Sequence, residues 1–277
     1  MTDPRLMIHG GLGPAAGFAR GKHQERAALQ RIAEDSFVFL RHHTALETVI
    51  HAVSLLEDDP LFNAGTGSKL QSDGVIRMTA SVMDGARQRF AGVINIRDVK
   101  NPVQVAARLL EYDDRVLAGE EATAFARGQG FSAHNPETAA RRTAYDEQHK
   151  GGTVGCVALD AAGRLAAATS TGGKGFEMPG RVSDSSTVAG NYANAVAAVS
   201  CTGIGEDIVN SALAARIVIR VTDGMTLDAA SAAAVAELAA QRGEAGFIAL
   251  DAQGHMQQAA THPYLAYATH DGRLRVF

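Results

Sequence analysis

Two segments of the chain share one strand–turn–strand pattern, and this pair limits the possible folds more than any other feature. The first covers residues 153–169 and turns at 161–163. The second covers residues 246–259 and turns at 252–254. Each is typical of a β-hairpin, because β-forming residues flank a short turn that ends in glycine. Two matched hairpins predict stacked antiparallel sheets, and not a solenoid of many repeats.

Segments with helical spacing of apolar residues lie before and between the hairpins. Thr44 and Glu47 form a capping box that predicts the start of one helix. Asn101 is the expected cap of another, with Pro102 at its first position and Gln104 as the capping partner. Further helices are predicted over residues 26–42, 120–127, 207–221 and 227–242. Helices that cover packed sheets predict an α+β fold.

The composition is that of a globular protein, with 46% hydrophobic and 20% charged residues in 277. Apolar segments are spread evenly without a Pro/Ser-rich linker, which predicts a single domain over residues 1–277. The net charge of −4 and the lack of clustered lysine and arginine argue against a nucleic-acid partner. Neither a signal peptide nor a stretch of roughly 18 apolar residues is present. We therefore expect a cytoplasmic protein without a membrane partner.

Residues that often bind metals or hydrolyse substrates occur here without the spacing those functions need. None of the ten histidines lies in an HExxH pattern. The acidic run at residues 57–59 has no calcium-loop pattern around it and is interpreted as a solvated helix end. GxSxG and SxxK motifs are missing, and Cys156 and Cys201 are interpreted as reduced thiols. These patterns predict no cofactor.

A threonine follows two glycines where a polar segment, residues 135–152, meets the first hairpin. A threonine hydroxyl is a weak nucleophile that needs a base. Cleavage of the bond before Thr153 would supply its own α-amine, with a pKa near 7.7 to 8.0. Gly152 has no Cβ, so the peptide could bend toward the hydroxyl, and a flexible exposed segment before it would free the new amine. The alternative is a threonine that only begins a strand.

Nine short motifs occur in order along most of the chain. They are His9-Gly10-Gly11, Phe62-Asn63-Ala64-Gly65, Ser81-Val82-Met83-Asp84-Gly85, Lys100-Asn101-Pro102, Gly152-Thr153-Val154-Gly155, Thr169-Ser170-Thr171-Gly172-Gly173, Gly180-Arg181-Val182 with Asp184, Tyr192-Ala193-Asn194, and Ser200-Cys201-Thr202-Gly203 with Gly205-Glu206. Each motif alone is weak. Together they resemble the plant-type (type III) L-asparaginase and isoaspartyl aminopeptidase family of N-terminal nucleophile hydrolases.

The resemblance implies a four-layer αββα sandwich, made as a precursor that cuts itself between Gly152 and Thr153. Cleavage would leave an N-terminal chain of residues 1–152 and a C-terminal chain of residues 153–277. These two chains stay paired, and two pairs usually associate into a dimer. The implied activity is hydrolysis of β-aspartyl (isoaspartyl) dipeptides, of L-asparagine, or of both, through a β-aspartyl enzyme.

The same resemblance implies a role for each catalytic residue. Thr153 would be the nucleophile, Thr171 would support it, and Asn63 would orient its amine. The Thr202 hydroxyl and the Gly203 backbone amide would contact the substrate and form the oxyanion hole, where a preorganised donor stabilises developing charge.

Substrate binding is expected at two charged groups. Arg181 would bind the α-carboxylate, and Asp184, with the Gly205 carbonyl, would bind the α-ammonium. Structural alternatives remain for the same residues. Arg181 and Asp184 could simply form a salt bridge with each other, and Thr202 could cap a helix ahead of Glu206.

The resemblance also implies a structural sodium ion bound through backbone carbonyls of one loop. The expected donors are Leu56, Glu57, Asp59, Phe62, Ala64 and Thr66. Such a site would not require the side-chain carboxylates of residues 57–59.

The sequence departs from the family pattern beside the expected specificity loop. Thr79 stands where the family usually has aspartate, and the run from Ser183 to Ser186 replaces a usual Gly-Asp-Ser-Pro. The stretch 186–192 is also one residue shorter. These changes bear on the placement of Asp184 and therefore on the substrate.

Two other functions are compatible with this sequence. One is a glycosylasparaginase-like amidase, although the turns at residues 169–173 and 202–206 look more like those of asparaginases and isoaspartyl peptidases. The other is an uncleaved, non-catalytic homologue that binds a small molecule.

Overall fold

The computed structural model describes residues 2–12, 19–146 and 152–277, and its strands form two sheets. The strands are β1 (Arg5–Leu12), β2 (Met78–Asp84), β3 (Arg89–Ile96), β4 (Val116–Ala118), β5 (Val154–Leu159), β6 (Leu165–Thr171), β7 (Asn191–Ala193), β8 (Ala197–Gly203), β9 (Ala245–Asp251), β10 (Met256–Ala260), β11 (Leu265–His270) and β12 (Leu274–Val276). The larger sheet has the order β12-β11-β1-β5-β6-β2-β3-β4. The smaller sheet has the order β10-β9-β8-β7.

Helices pack against both sheets, which confirms the predicted α+β fold. They are α1 (Ala19–Leu40), α2 (Ala45–Asp58), α3 (Pro102–Leu109), α4 (Gly119–Gly128), α5 (Ala139–Asp146), α6 (Gly205–Ser211), α7 (Leu213–Thr222) and α8 (Leu227–Ala240). Helices α1, α2 and α3 contact the larger sheet, and α7 and α8 contact the smaller. Across the described ranges, no helix combines the length and the apolar character needed to cross a membrane.

The two predicted hairpins are present, one in each sheet. β5 pairs with β6 in the larger sheet, and β9 pairs with β10 in the smaller. Side chains of the first hairpin share a buried apolar cluster with Ile248 and Leu250 of the second. The two sheets therefore pack face to face, as the sequence predicts.

One half of the space between the sheets is apolar and the other half is polar. The apolar half contains Met7, Met83, Val157, Leu159, Leu165 and Ala167 from the larger sheet and Ala198, Ile248 and Leu250 from the smaller. Side chains alternate between the faces of a strand. The same faces therefore carry Thr153 and Gly155 at β5, Thr169 and Thr171 on β6, and Ser200 and Thr202 on β8. The polar half lies at the end of the sheets where β5 begins.

Hydrogen bonds between the sheets stabilise this polar half. The Ser200 Oγ lies 2.9 Å from Nε2 of His9 and 2.7 Å from Oγ1 of Thr169, and all three residues are fully buried. Burying polar groups destabilises a fold unless they are paired in this way. Burial lowers the pKa of His9 to about 3, so the imidazole is neutral near pH 7.

Besides the earlier start of α1, at Ala19 and not at residue 26, two details of the predicted helices were wrong. The helix expected over residues 207–221 is two helices, because Ala212 adopts a left-handed conformation (φ 48°, ψ 43°). Backbone bonds from Ala214 to the Ala189 carbonyl (2.8 Å) and from Ala215 to the Val188 carbonyl (3.1 Å) fix the start of α7 there. These partners lie far away in sequence, so local periodicity does not predict the break.

The start of α3 is also capped differently from the expected scheme. Asn101 makes no side-chain cap bond and instead donates to the Ser54 carbonyl (3.2 Å) and to Asp58 (2.9 Å). The amide of Val103 donates to Oε1 of Glu57 at 3.0 Å. A carboxyl from α2 therefore replaces the local cap.

The close approach of β5 and β8 gives a test of this packing. A Cβ on Gly155 would overlap Oγ of Ser200 and lie 2.5 Å from Nε2 of His9. We expect Gly155→Ala to lower the free energy of unfolding in urea by about 1–3 kcal/mol, since overpacking a core is destabilising. The control is Gly128→Ala, where a Cβ meets no atom within 4 Å. If both variants were equally stable, the packing described for Gly155 would be incorrect.

Candidate active site

Thr153 lies directly before β5 at the polar end of the inter-sheet space. Its side chain is turned toward β6, with Oγ1 3.3 Å from Oγ1 of Thr171, and Thr153 is only 5% exposed. Thr171 pairs across the sheet with Thr79 of β2. The proposed nucleophile is therefore adjacent to the threonine that the sequence assigned to support it.

The peptide bond before Thr153 is held by donors on both sides. The Gly152 carbonyl accepts from Nδ2 of Asn63 at 2.7 Å and from Oγ1 of Thr171 at 3.2 Å. Gly11, with φ +113°, packs so closely that a Cβ there would lie 3.1 Å from both Cα of Gly152 and the nitrogen of Thr153. Only glycine adopts this φ readily, and without a Cβ Gly11 of the HGG motif can lie against the Gly152–Thr153 peptide bond.

Asn63 is itself positioned by backbone groups of two loops. Its Oδ1 accepts from the Lys69 amide at 2.8 Å, and its carbonyl accepts from the Gly172 amide at 2.9 Å. Its Nδ2 also donates to the Gly173 carbonyl at 2.5 Å. The resemblance implies that Asn63 orients the amine of Thr153. In the intact chain described here it contacts the carbonyl on the other side of the same bond.

The two oxyanion-hole candidates lie at the end of β8. Thr202 is fully buried, and its Oγ1 has no hydrogen-bond partner among the described residues. Gly203 follows it and pairs with Ala245 of β9. The alternative of a helix cap is not what the structure contains, because α6 begins after Ile204 without a side-chain cap. A buried hydroxyl in this state is available to a ligand.

Arg181 forms its ion pair with Glu206 and not with Asp184. Nε and one η nitrogen of Arg181 donate to the two carboxylate oxygens of Glu206, at 2.7 and 3.0 Å. Lys174 Nζ lies 3.4 Å from the same carboxylate. The hydrogen bonds from Arg181 lower the pKa of Glu206 to about 2. Sequence reasoning assigned no role to Glu206 or Lys174.

Asp184 begins a short 3₁₀ turn, Asp184–Ser186, that is attached to β2. The Ser81 hydroxyl of β2 donates to the Ser185 carbonyl at 2.5 Å. Burial raises the pKa of Asp184 to about 6. Its Oδ1 accepts from the Ser183 hydroxyl at 3.2 Å, whereas Oδ2 has no partner within the described part of the chain.

Gly205 brings the two expected substrate-binding groups together. A Cβ on Gly205 would lie 2.5 Å from an η nitrogen of Arg181 and 2.7 Å from Oδ1 of Asp184. A cation and a carboxyl therefore converge on the first residue of α6, which follows β8 after a single residue. Opposite charges at this spacing suit a ligand that carries both an ammonium and a carboxylate.

The atypical positions around Asp184 have structural roles. Thr79 Oγ1 accepts from the Asn95 amide at 3.3 Å, and Ser183 is the N-cap of the 3₁₀ turn. The Ser186 hydroxyl is buried and has no partner among the residues described. The buried Asn191 donates to the Ser81 hydroxyl at 2.8 Å and joins β7 to the same anchor. The turn is thus attached to β2 by Ser81 through the Ser185 backbone carbonyl, and Ser183 bonds only within the turn among the described residues.

The guanidinium of Arg141 binds backbone carbonyls in and beside the loop that is expected to bind sodium. Arg141 of α5 donates to the carbonyls of Phe62 (2.9 Å), Leu61 (3.1 Å) and Gly67. The carbonyl of Glu57 accepts from the Thr66 amide at 2.8 Å. A second cation at the Phe62 carbonyl would be repelled by Arg141. Of the six expected carbonyls, that of Phe62 thus accepts from Arg141 and that of Glu57 from Thr66, so the arrangement does not fit an ion held by all six.

Glu57 corrects the interpretation of residues 57–59 as a solvated helix end. Its side chain is fully buried and Oε1 accepts from the Ser170 hydroxyl at 2.6 Å, next to Thr171. Glu57 lies four residues after Val53, on the apolar face of α2, so helical spacing could have indicated its burial. The Glu57 carboxyl thereby links α2, α3 and β6.

The remainder of the polar segment is only partly described. Helix α5 contains residues 139–146, and Tyr145 stacks on Phe176 with ring centroids 4.5 Å apart. Residues 147–151, on which the predicted flexible segment depends, lie outside the described residues.

Cys156 and Cys201 are both free and buried.

Comparison with known proteins places the chain in a family. The asparaginase family model matches residues 2–150 and 132–276. The chain belongs to this family, and the resemblance drawn from the nine motifs is confirmed.

Curated relatives match almost the full length of the chain. It is 44% identical to the isoaspartyl peptidase/L-asparaginase of Nostoc sp., covering 98% of this chain and 93% of the relative. It is 37% identical to the plant-type L-asparaginase of Pyrococcus abyssi, covering 95% of each. It is 39% identical to the isoaspartyl peptidase of Escherichia coli, covering 91% of this chain and 88% of the relative.

The buried carboxyl behind the site predicts a pH dependence of stability. Burial raises the pKa of Glu57 from 4.5 to about 8. The folded state favours the protonated form of Glu57. The contribution of Glu57 to the free energy of unfolding is therefore fully present below the pKa of an unfolded glutamate and is lost as the pH rises through about 8. We expect Glu57→Gln to lose less stability than the wild type between pH 5 and pH 8, as measured by urea unfolding.

The matched control is Glu121→Gln at an exposed position of α4. This variant should follow the wild-type pH profile. A Glu57→Gln profile parallel to that of the wild type would show that Glu57 is not buried in its protonated form.

Proposed function

We propose that this protein is an autoprocessed amidohydrolase that cleaves β-aspartyl dipeptides and L-asparagine with Thr153 as its nucleophile. Membership of the asparaginase family and the names of the relatives support the activity. One observation carries the assignment of Thr153: its hydroxyl lies beside Thr171, which together with Asn63 holds the carbonyl of the preceding peptide.

Cleavage of the chain would begin at that carbonyl. The Thr153 Oγ1 attacks the carbonyl carbon of Gly152, and its proton passes to the departing nitrogen of Thr153. The negative charge that develops on the Gly152 oxygen is stabilised by the Asn63 amide and the Thr171 hydroxyl. The resulting ester joins Gly152 to the Thr153 side chain. Water then hydrolyses the ester and leaves Thr153 with a free α-amine.

The mature enzyme would use that amine as the base. It takes the proton of the Thr153 hydroxyl as Oγ1 attacks the side-chain amide carbon of the substrate. The oxyanion is stabilised by Thr202 Oγ1 and the Gly203 amide. The proton is then given to the leaving amine, and water hydrolyses the β-aspartyl ester to release aspartate. The buried, unpaired hydroxyl of Thr202 supports this role.

Substrate orientation would come from the charged groups at the start of α6. Arg181 binds the α-carboxylate with N–H donors of its guanidinium, which has five in a fixed planar arrangement. The Asp184 carboxylate, whose Oδ1 faces Gly205, and the Gly205 carbonyl accept from the α-ammonium. The convergence of Arg181 and Asp184 on Gly205 supports this arrangement.

The strand order supports a stable pair of fragments after cleavage. In the larger sheet, β1 and β2 from residues 1–152 flank β5 and β6 from residues 153–277. Separation of the chains would break three antiparallel ladders, β11–β1, β1–β5 and β6–β2, and expose the core, so they stay together. Helices packed outside two facing sheets support a four-layer αββα sandwich. Association of two such pairs follows the resemblance alone.

Substitution of the nucleophile tests the proposal. We expect purified wild type to convert into fragments of residues 1–152 and 153–277, whereas Thr153→Ala stays whole and inactive because it lacks the attacking hydroxyl. Thr153→Ser should retain cleavage. Gel electrophoresis and intact mass spectrometry measure the fragments, and aspartate release measures the activity.

Thr143→Ala is the matched control, since Thr143 is exposed on α5 and its hydroxyl, within the described ranges, bonds only to the Ala139 carbonyl at 3.1 Å. It should be cleaved like the wild type. A wild-type chain that hydrolyses β-aspartyl dipeptides while remaining whole would contradict the mechanism.

A further inference from the structure

A cavity of about 580 Å³ opens beside the guanidinium of Arg181. Residues 174–181, between β6 and the 3₁₀ turn, line it together with Glu206 of α6. Its wall is partly apolar, from Phe176, Met178 and Pro179, and Met178 is 78% exposed. The substrate α-carboxylate proposed at Arg181 does not fill a space of this size.

Lys174 connects the lining of the cavity to the groups around Thr153 through its chain neighbour Gly173. Lys174 follows Gly173, whose amide donates to Thr171 Oγ1 at 3.1 Å and whose carbonyl accepts from Asn63 at 2.5 Å. These two side chains surround the bond before Thr153. Lys174 of the cavity lining thus adjoins a residue that contacts these side chains, and Arg181 of the lining is the proposed aspartyl anchor.

Two cations lie close together at this cavity. The Nζ of Lys174 is 3.4 Å, and the Nε of Arg181 is 2.7 Å, from the same oxygen of Glu206. The distance between Lys174 Nζ and Arg181 Nε therefore cannot exceed the sum of these two distances. Glu206 shows that a carboxylate can lie between them. The other acid of the lining is Glu177, which is buried and whose pKa is raised by that burial.

A β-aspartyl dipeptide carries two carboxylates, whereas L-asparagine carries one. The second belongs to the leaving amino acid, and six covalent bonds separate the two carboxylate carbons, at most about 7–8 Å. Two neighbouring cations match this spacing, one for each carboxylate. The apolar wall suits the side chain of the leaving residue.

We propose that this cavity is the subsite for the leaving amino acid of a β-aspartyl dipeptide, in which the ammonium of Lys174 pairs with its C-terminal carboxylate. This inference rests on the proposed function and names its substrate class. The subsite favours dipeptides with a free C-terminus and an apolar second residue. L-Asparagine gains nothing from Lys174, because its leaving group is ammonia.

The test compares three substrates: β-aspartyl-leucine, its C-terminal amide, and L-asparagine. In Lys174→Met we expect kcat/KM for β-aspartyl-leucine to fall about 2- to 5-fold relative to that for L-asparagine, mainly through KM, as loss of a partly exposed ion pair implies. The amide should lose nothing relative to L-asparagine, and Lys174→Arg should restore most of the difference.

Lys100→Met is the matched control, because Lys100 is another half-exposed lysine that pairs with one carboxylate, Asp58, at 2.8 Å. It should leave all three substrate ratios unchanged. A uniform loss for all three substrates in Lys174→Met, or no loss for the dipeptide, would overturn the subsite while leaving the proposed function intact. A wild type that cleaves none of them would overturn both.

Discussion

The hydrogen bonds to the carbonyl oxygen of Gly152 are the interactions on which the organisation of the site depends. The two donors come from distant parts of the chain: Asn63 from the loop after α2, and Thr171 from the end of β6. Gly11 of β1 supports the same peptide from another side. Three elements thus converge on one bond. The loops around the site orient these donors, and the sheets bring them within reach.

That convergence requires polar groups to be buried between two sheets. The apolar half of the interface, from Met7 to Leu250, supplies the burial that holds the sheets together. The polar half would be costly on its own, but His9 and Thr169 of the larger sheet both bond Ser200 of the smaller sheet across the gap. Gly155 lets the sheets approach at this point. Groups left unpaired in the described residues, such as Thr202 Oγ1 and Asp184 Oδ2, are therefore candidates to meet a substrate.

The elements and the site differ in how well the sequence predicts them. Both hairpins and the capping box at Thr44 follow from local pattern and are present. The break at Ala212 and the capping of α3 by Glu57 depend on partners distant in the chain. A local pattern carries no information about such partners.

The same limit applies to the site. The motifs identified Thr153, Asn63 and Thr171, which the structure brings together. They contained Glu206 without its partner and did not contain Arg141, because an ion pair or a guanidinium on carbonyls has no fixed spacing in the sequence. No motif gave Lys174 a role either, because its role follows from its position at the cavity beside Arg181.

The central claim is that Thr153 becomes covalently attached to the aspartyl part of the substrate. Rapid acid quenching of the mature enzyme during turnover of β-aspartyl-leucine, followed by proteolysis and mass spectrometry, measures this attachment directly. The account predicts an aspartyl adduct on the peptide whose first residue is Thr153. An adduct on any other residue would contradict the account. Steady turnover at saturating substrate without an adduct on Thr153 at any quench time would contradict it as well.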